Sequence, residues 1–104
     1  MMQETCIFCA IPSSAWLIQN EHYYVIYDQR PVSKGHCLII SKRHVVDYFE
    51  LNEEEAAALQ KISTEVKSFL AKEYAPSGYN LAMNCGSRAG QTVFHYHMHV
   101  IPRY

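Results

Sequence analysis

The stretch His95-Tyr96-His97-Met98-His99-Val100-Ile101 places a histidine at every second position. On a helix, residues 95 and 99 would share a face while 97 pointed nearly the opposite way. On a strand, side chains alternate with a period of two, and all three imidazoles fall on one side. Tyr96, Met98 and Val100 then form the other side, the apolar underside that a strand needs beneath a helix. Thr92, Val93 and Val100 are β-branched and favour the strand, so a last strand over 92–101, stopped by Pro102, is expected. Packing alone rarely asks for three imidazoles on one face. A metal-binding strand is one explanation, and catalysis is the favoured one, because imidazole titrates near neutrality and is both nucleophile and proton carrier.

Just upstream, Asn84, Gly86, Ser87, Gly90, Gln91 and Thr92 give a loop over 85–91 small side chains, backbone N–H groups and amides. Such a loop can cradle phosphate oxygens. Alone it reads as an ordinary hairpin; beside three histidines it points to an anionic substrate.

Further out, Trp16-Leu17-Ile18 and Tyr23-Tyr24-Val25-Ile26-Tyr27 read as a hairpin about Asn20-Glu21. A loop follows from Asp28 to Gly35, then a buried strand from His36 to Ser41. Asn52 is a good N-cap, Glu53, Glu54 and Glu55 suit the positive end of a helix, and Glu55 can close a capping box. Leu59, Ile62, Val66, Phe69 and Leu70 make one apolar stripe at helical spacing, and the helix should end near Tyr74, ahead of Pro76. Tyr79 to Asn84 is a fourth strand. The sum is an α+β chain, a five-stranded antiparallel sheet with one long helix, and the N-terminal stretch has room for a short helix as well.

With 104 residues, 49% of them hydrophobic and 18% charged, the chain reads as one globular domain over 1–104 with a modest core. A formal net charge of −1 argues against a nucleic-acid surface. No apolar run reaches the roughly 18 residues of a membrane span. The start Met1-Met2-Gln3-Glu4-Thr5 carries no signal-peptide pattern, so a cytoplasmic location is expected. Cys6 and Cys9 have the spacing of a metal clip, whereas Cys37 and Cys85 read as core residues.

The string Gly90-Gln91-Thr92-Val93-Phe94-His95-Tyr96-His97-Met98-His99-Val100-Ile101 resembles the signature of the histidine triad superfamily, His-φ-His-φ-His-φ-φ with φ apolar. The resemblance runs almost end to end. It takes in Cys6-Ile7-Phe8-Cys9, Asp28 with Pro31, Gly35-His36, Lys42-Arg43-His44, Asn80, Asn84 and Ile101-Pro102-Arg103.

The resemblance implies a nucleotide site on the sheet and a two-step reaction. His97 would attack an α-phosphate, and water would then release a nucleoside monophosphate from a nucleotidyl-histidine. His99 would hydrogen-bond phosphate or leaving-group oxygens, with His36 supporting the cluster from the neighbouring strand. Gly90, Gln91 and Thr92 would hold phosphate, and Asn84 would reach the leaving side. Asp28 matches the ribose-binding position, although by itself it reads as a turn residue before Pro31. The base would be a purine, giving an AMP-type product, with Phe8, Ile11 and Ile26 as candidates for its slot.

The resemblance also implies structural zinc on Cys6, Cys9, His44 and His95, which leaves His97 and His99 as the catalytic imidazoles. Two thiolates and two imidazoles suit tetrahedral zinc. A homodimer is expected from the family and from the exposed edges of so small a sheet. By the same resemblance the substrate would be a dinucleoside polyphosphate or a nucleoside phosphoramidate. The ending at Tyr104, without the longer C-terminal segment of the phosphoramidase branch, leans towards the former. A nucleotide-binding regulatory module with little turnover is the alternative.

Overall fold

The computed structural model describes residues 5–104; of the stretch Met1 to Thr5 read for a signal-peptide pattern, all but Thr5 lies outside them. Five strands form one antiparallel sheet: β1 (Ile18–Gln19), β2 (Tyr23–Tyr27), β3 (Cys37–Ser41), β4 (Gly78–Ala82) and β5 (His97–Arg103). Their order across the sheet is β1-β2-β3-β5-β4. The single long helix, α1 (Glu53–Tyr74), lies between β3 and β4 in the chain. In the N-terminal stretch, Ser13–Ala15 forms one 3-10 turn. Among the described residues, no helix is long and apolar enough to cross a membrane.

The β1–β2 turn is held by Asn20, whose side-chain oxygen accepts from the backbone N–H groups of His22 and Tyr23 at 2.9 Å each. The capping box of α1 forms as its sequence asks: Asn52 Oδ1 accepts from Glu55 N at 2.8 Å, and Glu55 Oε1 accepts from Asn52 N at 3.0 Å. Glu55 is also the anchor of Arg43, whose guanidinium donates to both carboxylate oxygens at 2.8 and 3.0 Å. The helix ends at Ala75, which adopts left-handed backbone angles ahead of Pro76.

The two faces of the sheet carry different jobs. Leu59, Ile62, Val66 and Leu70 of α1 pack on Tyr23, Val25, Cys37, Ile39, Met98 and Val100. Phe69, on the same stripe, is half-buried at its margin. On the opposite face Phe8, Tyr24, Leu38 and Ile40 form a smaller cluster, joined by Ile11, Trp16 and Ile26. β3 is buried along its whole length because both faces are covered.

Several boundaries differ from expectation: β1 runs over Ile18–Gln19 rather than Trp16 to Ile18, and β3 begins at Cys37 rather than His36. β5 begins at His97 rather than Thr92, because Tyr96 exchanges backbone bonds with Val45 and Ser41 beyond the β3 ladder and residues 92–96 bend away. Pro102 does not stop the strand but pairs with Tyr79. Its carbonyl accepts from the Ser33 hydroxyl at 2.5 Å, on the side where β3 has already ended. The missing N–H therefore costs no ladder bond. β4 ends at Ala82, short of Asn84, and Cys85 is half-buried in the loop that follows instead of lying in the core.

Candidate active site

The register of β3 on β5 sets the site. Ile40 pairs with His97 and Leu38 with His99, so His36, two residues before Leu38, comes up beside the end of the histidine row. Gly35, the residue before His36, packs its backbone against the end of α1: its φ is +89°, and an added Cβ would lie 2.9 Å from the Tyr74 ring.

Bonding partners fix which ring nitrogens carry protons. His97 Nδ1 lies 2.8 Å from the carbonyl oxygen of His95, which can only accept, so Nδ1 carries the proton and Nε2 keeps its lone pair. His36 Nδ1 accepts from Val32 N–H at 3.0 Å, which places the proton of the neutral ring on Nε2, 2.9 Å from His99 Nδ1. His99 therefore accepts at Nδ1 and keeps a donating Nε2–H. Burial is the main cause holding both His36 and His99 below the ordinary imidazole range, so both are neutral at pH 7. His97 adds to the lowering at His99, while Asp28 opposes it at both rings. Asp28 Oδ2 stands 3.4 Å from His36 Nε2 and 3.7 Å from His99 Nδ1. Its other oxygen accepts from Arg30 N–H at 2.8 Å, so Asp28 is both a turn residue and a member of the cluster.

These groups open onto a cleft of about 680 Å³. Asp28, Thr92, His97 and His99 form its polar part, and Phe8, Ile11, Ile26 and Leu38 an apolar wall. Arg30 and Gln29 also line it, and no sequence motif announced them; Leu38 was legible in principle, two residues after His36 on a strand. His36 sits behind the cleft, almost fully buried.

Asn84, Gly90 and Gln91 build the adjoining loop and do not line the cleft. Asn84 Nδ2 donates to the Gly90 carbonyl at 3.3 Å. Gln91 is buried; its Nε2 donates to the carbonyls of Val46 at 2.6 Å and Val93 at 3.1 Å, while its Oε1 accepts from Gly86 N–H at 2.8 Å. The geometry makes Gln91 the brace of the loop.

His95 departs from the row that the sequence pattern suggested. It precedes β5, and its ring turns into a second cluster with Cys6, Cys9 and His44. His95 Nδ1 lies 3.3 Å from Cys6 Sγ, 3.5 Å from Cys9 Sγ and 3.1 Å from His44 Nδ1, and Cys9 Sγ lies 3.2 Å from His44 Nδ1. One ring nitrogen cannot satisfy three such partners through a single proton, but a cation among them can. Neighbouring ligand atoms around tetrahedral zinc stand roughly 3.3–3.8 Å apart, close to these separations. His95 Nε2 lies 2.7 Å from the Ser41 carbonyl, which holds the proton there and turns the Nδ1 lone pair inward. The four residues fit a metal ion.

Fold and site together define a histidine triad domain. Residues 11–104 match the HIT domain family, and the chain belongs to it. It is 40% identical over 105 residues to Protein hit of Bacillus subtilis, covering 97% of this chain and 72% of that protein. With the adenylylsulfatase HINT3 of Arabidopsis thaliana it shares 33% identity over 106 residues, 98% of this chain and 54% of the relative. Among solved structures, a HIT family protein from Bacillus anthracis superposes with a TM-score of 0.89 at 39% identity, over 97% of this chain and 74% of that one. A zinc-bound histidine triad family protein from Mycobacterium smegmatis does so with a TM-score of 0.85 at 34% identity, over 96% and 76%.

Proposed function

We propose that the protein is a nucleotide hydrolase or transferase that attacks an α-phosphate with His97 Nε2. The observation that carries this reading is the lone pair left on that nitrogen by the 2.8 Å bond from Nδ1–H to the His95 carbonyl. In the first step Nε2 forms a bond to phosphorus, and the bond to the leaving group breaks with its electron pair. The His97 ring becomes a cation, which the His95 carbonyl stabilises. In the second step water attacks, the P–N bond breaks, its pair returns to Nε2, and the water proton passes to solvent. His99 Nε2–H donates to a phosphate or leaving-group oxygen, and His36 holds His99 in that tautomer. Asp28 accepts from ribose hydroxyls, Thr92 faces phosphate at the edge of the loop that Asn84, Gly90 and Gln91 hold in shape, and a purine lies against Phe8, Ile11 and Ile26.

Substrates are nucleotides joined through phosphate to a second group: dinucleoside polyphosphates, nucleoside phosphoramidates or another adenylyl compound. The relative named adenylylsulfatase supports adenylyl chemistry. Cys6, Cys9, His44 and His95 would hold zinc, which would tie the N-terminal clip to the sheet and take no part at phosphorus. The zinc-bound relative supports that assignment. Its thiolates suit a reducing compartment, hence a cytoplasmic location. A homodimer would form through the groove of about 540 Å³ between α1 and β4, where Leu81 is 56% exposed beside Leu59 and Tyr79. Incubation with an adenosine dinucleoside polyphosphate and with an adenosine phosphoramidate tests the activity. AMP release that vanishes in His97→Ala is expected, and the faster substrate identifies the leaving group. No AMP from either substrate, with AMP binding intact, would instead leave a binding module.

A further inference from the structure

Residues 6–11 belong to no strand or helix, yet they supply part of the cleft wall. Three kinds of contact seat them on the sheet: the thiols of Cys6 and Cys9 beside His44 and His95, a hydrogen bond from the Tyr24 hydroxyl to the Phe8 carbonyl, and the packing of Phe8 and Ile11 with Tyr24, Leu38 and Ile40. Phe8, between the cysteines, is 7% exposed. Its ring stands edge-on to His95 with centroids 5.9 Å apart and to His97 at 5.0 Å. The same His95 offers its ring nitrogen to the metal cluster and its carbonyl to His97. The metal cluster and the cleft therefore share a wall residue and a backbone group.

We propose that metal binding at Cys6, Cys9, His44 and His95 and nucleotide binding in the cleft are positively coupled, with Phe8 as the positioning residue that carries the coupling. This rests on the reading of the cleft as a nucleotide site. A metal fixes Cys6 and Cys9 on either side of Phe8, so the wall is already ordered when a nucleotide arrives, and the ordering cost is met once for both ligands. By linkage the effect is reciprocal: the factor by which zinc tightens nucleotide binding equals the factor by which nucleotide tightens zinc binding.

Zinc affinity is measured by competition with a chromophoric chelator, with and without saturating AMP, alongside calorimetric titration of AMP into zinc-loaded protein. Zinc binding about tenfold tighter with AMP is expected. In Phe8→Ala, which keeps all four ligands, the factor should fall towards one, and Phe8→Leu should restore much of it. AMP that binds while zinc affinity stays unchanged overturns the coupling alone. A factor that survives in Phe8→Ala overturns the role of Phe8. Failure of AMP to bind the zinc-loaded protein overturns the nucleotide reading and the coupling with it.

Discussion

His97 and His95 are joined by a hydrogen bond of 2.8 Å from the Nδ1 of one to the carbonyl oxygen of the other, across the point where β5 begins. The bend before the strand makes this bond, because it turns the carbonyl of His95 towards the following ring while its own imidazole leaves for the cysteines. One residue thus orients the proposed nucleophile through its backbone and anchors the N-terminal clip through its side chain.

The placement of Asp28 makes ribose recognition testable. Its carboxylate lies near His36 and His99 with 18% of the side chain exposed. Charge-assisted hydrogen bonds to the 2′- and 3′-hydroxyls should favour AMP over its 2′,3′-dideoxy analogue by about tenfold or more. Calorimetry on Asp28→Ala should find that preference gone; a preference that persists would remove Asp28 from the ribose site.

Acid should weaken the fold. Burial holds His36 and His99 below their ordinary value of 6.5, so the unfolded chain takes up protons first as pH falls. Their contribution is complete above pH 6.5 and declines below it, down to the folded-state values. Denaturant midpoints at pH 7.5 and 5.5 should differ by less in a His36→Asn/His99→Asn protein than in the parent, since any acid loss of metal is common to both. An equal fall in the two proteins would refute the assignment.

Gln91 should act through the loop. Its three bonds to backbone groups predict that Gln91→Ala costs about 1–3 kcal/mol of stability, read from urea unfolding, together with weaker AMP binding. Gln91→Glu should cost at least as much, because a carboxylate would face the carbonyls of Val46 and Val93. A tolerated Gln91→Glu would show that the brace is dispensable.

Ala75 is the one non-glycine residue with positive φ among the described residues, at φ 50° and ψ 53°. Left-handed angles strain an alanine and suit a glycine at a helix end, so Ala75→Gly should stabilise the protein by about 0.5–1 kcal/mol in thermal or urea unfolding. Destabilisation would mean that the cap is held by something other than local backbone preference.

Most of the fold was legible because its signals are local. The Asn52–Glu55 box, the stripe from Leu59 to Leu70 and the alternation from His97 to Val100 each depend on neighbours in sequence. The family resemblance, carried by motifs along the whole chain, located the histidines and the cysteine clip. What failed was set by distant partners. Thr92 and Val93 have strand propensity, but the bonds of Tyr96 to Val45 and Ser41 bend that segment away. Pro102 normally ends a strand, yet here β3 stops before its missing N–H matters. The bracing role of Gln91 depends on the carbonyl of Val46, 45 residues earlier, and no spacing rule reveals it.

The covalent step is the centre of the account. Zinc-loaded protein should be mixed with an adenosine dinucleoside polyphosphate or phosphoramidate, quenched in alkali to preserve a P–N bond, and mapped by peptide mass spectrometry. Adenylyl mass on the peptide containing His97, absent in His97→Ala, is the predicted result. Rapid AMP release with no adduct at the earliest times, or an adduct on another residue, would contradict it.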